Sequence, residues 1–172
     1  MKYDCKHIVL LFGSTIGLMP LLADATNPAG TPSIRAAAPE TFAFGRPGTQ
    51  REVTRVIKIR ALDNHFEPKS VTVIQGTTVK FIVTDTGKLS HEFVLGDRNE
   101  QEEHEKEMKS MGDMPMADEA NGIDLNPGQT KTLIWTFTQD GVIEYACHSL
   151  GHFDAGMIGT VVVRPAPNKP RQ

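Results

Sequence analysis

Seven short runs of β-branched and aromatic residues, divided by turn-forming clusters, dominate the chain from Glu52 onward. They read "VTRVIKIR", "SVTVI", "TTVKFIVTD", "HEFVL", "TKTLIWTFT", "VIEYAC" and "MIGTVVV". Side chains alternate between the two faces of a strand. Period two therefore puts Ile57 and Ile59 opposite Lys58 and Arg60, and it aligns Val79 with Phe81 and Val83, and Leu133 with Trp135 and Phe137. Gly76, "DTGK" and "NPGQ" break the runs with residues that favour turns. Short strands spaced in this way predict an all-β antiparallel sandwich over 51–165. One segment departs from the pattern. "NEQEEHEKEMKS" is a helix candidate inside an insertion between "HEFVL" and "TKTLIWTFT". No internal repeat is visible.

The first 50 residues do not share this patterning. Lys2 and Lys6 precede an apolar core over Ile8–Leu22, and Ala23-Asp24-Ala25 has the small-x-small form of a cleavage site. This predicts a signal peptide over 1–25 and a mature chain starting near Thr26. The alternative is an N-terminal anchor, with Pro20 blurring the end of the core. There is no twin-arginine pair, which predicts the Sec route to the periplasm. Residues 26–50, rich in Pro, Ala, Gly and Thr, are expected to be a flexible linker, and 166–172 a C-terminal tail. No stretch reaches the roughly 20 apolar residues of a spanning helix, so no membrane association is expected after cleavage. The net charge of -3 gives no basic face for nucleic acid. A monomer is expected.

Signal cleavage removes Cys5 and leaves Cys147 as the only thiol of an exported protein, where cysteines normally pair. Cys147 opens "CHSLGHFDAGM". Period two groups it with Ile143 and Tyr145, which predicts a thiol pointing inward. His152 lies five residues on and Met157 five beyond that, in a loop that Gly151 and Gly156 can fold back. His91 opens "HEFVL", on a strand that a Greek-key sandwich can lay beside the one bearing Cys147. Two imidazoles, one thiolate and a thioether are the donor set of a type 1 copper electron-transfer site. Structural zinc recruits several cysteines and does not use methionine. Alternation turns His148 away from the metal and favours His152, although spacing alone leaves His148 open. A buried small hydrophobe and a Cys–His nucleophile are the competing readings of Cys147. The second lacks an assignable acid or oxyanion partner, so no enzyme activity is expected.

"YACHSLGHFDAGMIGTVVV" resembles the C-terminal ligand loop and last strand of the cupredoxins, the small type 1 copper proteins. "FEPKSVTVIQGTTVKFIVTDTGKLSHEFVLGD" resembles their N-terminal half, and together the two cover roughly 50–165. The acidic, Met-bearing insertion and the long ligand loop look closest to periplasmic cupredoxins of copper tolerance. The resemblance implies a Greek-key β-sandwich with one copper on His91, Cys147, His152 and Met157. Two positions depart from the family pattern. Leu150 stands where related loops carry Pro, which implies a looser cage. Glu92 follows the first histidine where many electron carriers have Asn or Ser, which places a carboxylate near the copper.

"HEKEMKSMGDMPM" concentrates His104, Met108, Met111, Met114 and Met116, four of the seven methionines. Thioethers select Cu(I), so one reading is a second, exchangeable Cu(I) site. The other is a solvated helix whose methionines cover the sandwich. His65 is expected to be structural. Two roles follow for the whole chain: copper tolerance with a redox-active copper, or dedicated electron transfer between redox partners. The partners are then copper ions and a redox or copper-trafficking protein.

Overall fold

The computed structural model describes residues 42–111, 118–149 and 151–167. The elements are β1 (Gly45–Pro47), β2 (Arg55–Leu62), β3 (His65–Glu67), β4 (Ser70–Ile74), β5 (Thr78–Asp85) and β6 (His91–Gly96), then α1 (Arg98–Met111), β7 (Gly122–Leu125), β8 (Thr130–Phe137), β9 (Gly141–Ala146) and β10 (Ile158–Arg164). Two five-stranded sheets form, in the orders β1-β8-β5-β2-β3 and β4-β10-β9-β6-β7. They share one core. Each of the seven runs predicted from the sequence is a strand, and the helix candidate is α1.

The expected antiparallel sandwich needs one correction, because both sheets are mixed. β2 pairs parallel with β5, and β4 pairs parallel with β10. In each case the two strands are joined by a crossover instead of a hairpin. Part of the stretch 26–50 expected as linker joins the sandwich. Phe44 is buried and β1 pairs with β8. Phe44 stacks on Trp135 at 5.1 Å between ring centroids, and Phe42 meets the same indole edge-on at 5.2 Å. Gly45 permits this docking, since a Cβ there would strike Thr136 and the Trp135 ring. The signal segment 1–25, residues 26–41 of the linker, Met114, Met116, Leu150 and residues 168–172 lie outside the described residues.

The core follows the alternation of the sequence. Val79, Phe81 and Val83 of β5 are buried, as are Leu133, Trp135 and Phe137 of β8. Phe66 bridges the two sheets, edge-on to Phe93 at 5.8 Å and to Tyr145 at 5.4 Å. β6 is buried along its whole length. Phe93 and Leu95 join the core cluster, and α1 packs against the strand from the other side. Asp97 starts α1. Its Oδ1 accepts from the Asn99 and Glu100 amides at 2.8 and 3.0 Å, while the Asp97 amide donates to Glu100 Oε2 at 2.6 Å. This reciprocal capping satisfies amides that the first turn leaves without partners. No helix among the described residues is long and apolar enough to cross a membrane.

Candidate metal centre

Cys147 follows β9 directly and Met157 precedes β10, so the pairing of these two strands brings both ends of the loop together. The Cys147 amide donates to the Met157 carbonyl at 3.2 Å. Within the loop the His152 amide donates to Ser149 O at 2.8 Å, and the Met157 amide donates to His152 O at 3.0 Å. Gly151 and Gly156 take φ values of +81° and +86°, in the left-handed region that glycine enters at little cost. The result brings Cys147 Sγ to 3.3 Å from His152 Nδ1.

β6 supplies the third group. It pairs antiparallel with β9, as a Greek-key order allows. The Glu92 amide donates to Cys147 Sγ at 3.3 Å. The His91 and His152 rings stack at 5.1 Å. His91 is buried with its Nδ1 3.0 Å from Asp85 Oδ2, and its Nε2 is buried without a partner. An imidazole whose one nitrogen is held by a carboxylate has the other available for a metal. Cys147 and Met157 have no exposed surface, whereas His152 is partly exposed.

The electrostatics fit a metal better than a free thiol. Burial pushes the Cys147 pKa up to about 11, against the opposing pull of the Glu92 and Ser149 amides. A thiol of that kind is a poor nucleophile at neutral pH, while metal coordination deprotonates it. Burial, and then the neighbouring His91, lower the His152 pKa, which favours the neutral imidazole that ligates. Among the described residues, no three or more His, Cys, Asp and Glu side chains converge into a group that could hold a metal ion. What the fold does assemble is the Cys147–His152 pair, the stacked His91 ring and the buried Met157.

His148 points away from this centre, as alternation predicts, but it is not exposed. It is 2% accessible. Its Nδ1 faces Glu105 Oε2 at 2.9 Å, and its Nε2 faces Gln101 Oε1 at 2.7 Å, both on α1. Glu92 also lies on the opposite face of β6 from His91. Its Oε2 accepts from the His148 amide at 3.0 Å, and burial pushes its pKa up to about 7. The sequence reading missed Asp85, although a signal existed: it continues the inward parity of Val79, Phe81 and Val83, six residues before His91. Gln101, Glu105 and Phe153 were also missed. His65 sits on the edge strand β3, exposed beside Asn64 and Glu67.

On α1, His104, Met108 and Met111 are partly buried, on the side that also carries the buried Gln101 and Glu105. His104 meets the His148 ring edge-on at 4.7 Å, and its Nε2 is buried without a partner.

Residues 53–164 match the model of the copper-binding proteins of the plastocyanin/azurin family. The chain belongs to this family. Cupredoxins of this kind are non-catalytic electron carriers or copper buffers, so the chain is not an enzyme. Over 166 residues it is 38% identical to the copper-resistant cuproprotein CopI of Rubrivivax gelatinosus, covering 95% of this chain and all of that one. The CopI of Pseudomonas aeruginosa is 33% identical over 161 residues, with 77% of this chain and 89% of the relative covered. Among solved structures, the dithionite-reduced auracyanin of Roseiflexus castenholzii superposes with a TM-score of 0.57 at 24% identity, covering 65% of this chain and 98% of that one. That likeness supports the cupredoxin fold.

Proposed function

We propose that the chain is an exported, monomeric periplasmic protein that holds one type 1 copper ion on His91, Cys147, His152 and Met157 and serves copper tolerance. The observation that carries the site is the approach of Cys147 Sγ to His152 Nδ1 at 3.3 Å beside a buried His91 with an unpartnered Nε2. The tolerance role rests on similarity to CopI over nearly the whole chain. Copper, when bound, supplies one-electron exchange between Cu(II) and Cu(I). The chain's own residues do the rest. Asp85 fixes the His91 ring, the Glu92 amide stabilises negative charge on Cys147 Sγ, and the sandwich excludes water from the thiolate and the thioether. His152 alone of the four reaches solvent, which favours the second reading, electron transfer with a redox partner across that edge.

Metal analysis with visible and EPR spectra of the mature protein tests the site. A thiolate-to-copper charge-transfer band on oxidation is expected, and Cu(II)-loaded protein without one refutes it. Growth of a deletion strain in copper separates the roles: loss of tolerance supports the first, and unchanged growth with impaired respiration or photosynthesis supports the second. We further propose that His104, Met108, Met111, Met114 and Met116 bind Cu(I) weakly. The unpartnered His104 Nε2 supports this assignment.

A further inference from the structure

We propose that α1 is a brace for the ligand loop, with Gln101 and Glu105 as positioning residues that act through His148. The inference rests on the type 1 reading of the loop. Between Cys147 and Met157 the chain has two positive-φ glycines and no proline, and its turns are closed by backbone hydrogen bonds. Those bonds shape the loop but do not tie its side chains to the sandwich. α1 does so at both ends of the Cys147–His152 pair.

The first grip is on His148, the neighbour of Cys147. Glu105 and Gln101 occupy its two ring nitrogens at 2.9 and 2.7 Å. Gln101 is itself fully buried and anchored to the sandwich, its Nε2 donating to Val94 O of β6 at 2.9 Å. The helix is thereby pinned to the strand that carries His91. The second grip is on Phe153 and Asp154, which follow His152. Phe153 stacks on His148 at 4.6 Å with the rings 22° apart, and Lys109 bridges Glu105 at 3.1 Å and Asp154 at 2.9 Å. A neutral imidazole donates from one nitrogen only, so the second contact becomes a hydrogen bond when Glu105 or the ring carries an added proton. Held between α1 and the stacked Phe153, the His148 ring has one position. The insertion therefore holds the two strongest ligands at a set separation before any metal arrives.

Amide hydrogen exchange in the mature, metal-free protein tests the brace without copper. The His152 and Met157 amides, both hydrogen-bonded within the loop, are the reporters. Gln101→Leu is expected to speed their exchange at least about five-fold, the factor that losing one hydrogen bond of ordinary net worth gives. Glu105→Gln keeps an acceptor for His148 Nδ1 but loses the charge that pairs with Lys109, and it is expected to speed exchange less than Gln101→Leu does. In the copper-loaded protein, Gln101→Leu should keep the charge-transfer band and broaden the parallel EPR hyperfine lines, as a loosened cage would. Folded Gln101→Leu with wild-type protection and linewidth overturns the brace. If Gln101→Leu does not fold, the exposed Lys109→Ala decides: faster exchange at His152 supports the brace, and unchanged exchange overturns it. Wild-type protein that binds Cu(II) without the band refutes the type 1 reading separately, since the exchange data still decide the brace.

Discussion

At the scale of single residues, the proposed ligands separate by what their loss should do. Cys147→Ser should abolish the charge-transfer band, because no other thiol lies among the described residues. His152→Ala should disrupt the spectrum, whereas His148→Ala should keep the band, since that ring faces Gln101 and Glu105. The reverse pattern would reassign the loop ligand. Asp85→Ala leaves the His91 ring without the carboxylate at its Nδ1, and copper affinity measured by chelator competition should fall about 10- to 100-fold. Met157→Leu should move colour and potential more than copper content, as suits a weak axial donor. Glu92 gives a pH prediction for the metal-free protein. Burial raises its pKa from 4.5 to about 7, so between those values the folded state keeps a proton that the unfolded chain has released. Stability from this residue is greatest below pH 4.5 and declines as pH rises towards 7. His148, whose pKa burial lowers to about 4, pulls stability the other way over much of that window. The Glu92 contribution is therefore read as a difference: the wild-type denaturant midpoint minus that of Glu92→Gln should decrease as pH rises from 4.5 to 7.

The elements show what a linear reading can and cannot find. β2, β5, β8 and β10 were legible because eight-residue or near-eight-residue alternation is long enough to count. β1, β3 and β7 were not, since three or four residues such as "GRP" or "GIDL" carry turn-formers and no periodicity. Cys147, His152 and Met157 could be proposed from sequence because one loop presents all three. Asp85 reaches His91, and Gln101 and Glu105 reach His148, through tertiary contacts; only the inward parity of Asp85 was readable in the local sequence. The same limit applies to the Met-bearing insertion, whose sequence fits a metal site and a cover equally well. Replacing Met108, Met111, Met114 and Met116 by Leu keeps apolar bulk and separates the two. The variant should keep its charge-transfer band and its stability, bind less Cu(I) per chain in competition titrations, and tolerate copper less well in cells. Wild-type stoichiometry and tolerance would make the segment a cover.

For the molecule as a whole, the centre depends on the two sheets staying in register. His91 and Cys147 lie on neighbouring strands of one sheet, and Phe66 from the other sheet packs edge-on against Phe93 and Tyr145 between them. Phe66→Ala should cost about 3–5 kcal/mol in chemical denaturation, the range for deleting a buried aromatic ring. Part of that loss should also appear as a weaker or broadened copper spectrum in the protein that remains folded. A change under about 1 kcal/mol would mean that the core collapses readily around the site. The mixed sheets themselves lay beyond the reach of the sequence, because parallel pairing of β2 with β5 and of β4 with β10 is fixed by the crossovers and not by either strand's pattern.

That second pairing bears on the order of assembly. β10 lies between β4 and β9, inside its sheet and not at an edge. β4 is made early and waits about ninety residues for its only sheet neighbour, and the ligand loop immediately precedes that neighbour. A nascent or half-threaded chain therefore has an open sheet and no place for the loop to close. Without its last strand the chain cannot complete this second sheet, so under the proposed Sec export it would cross before the sandwich closes. Closing that sheet and completing the proposed ligand set then become a single late event, and under the proposed export it would fall on the far side of the membrane.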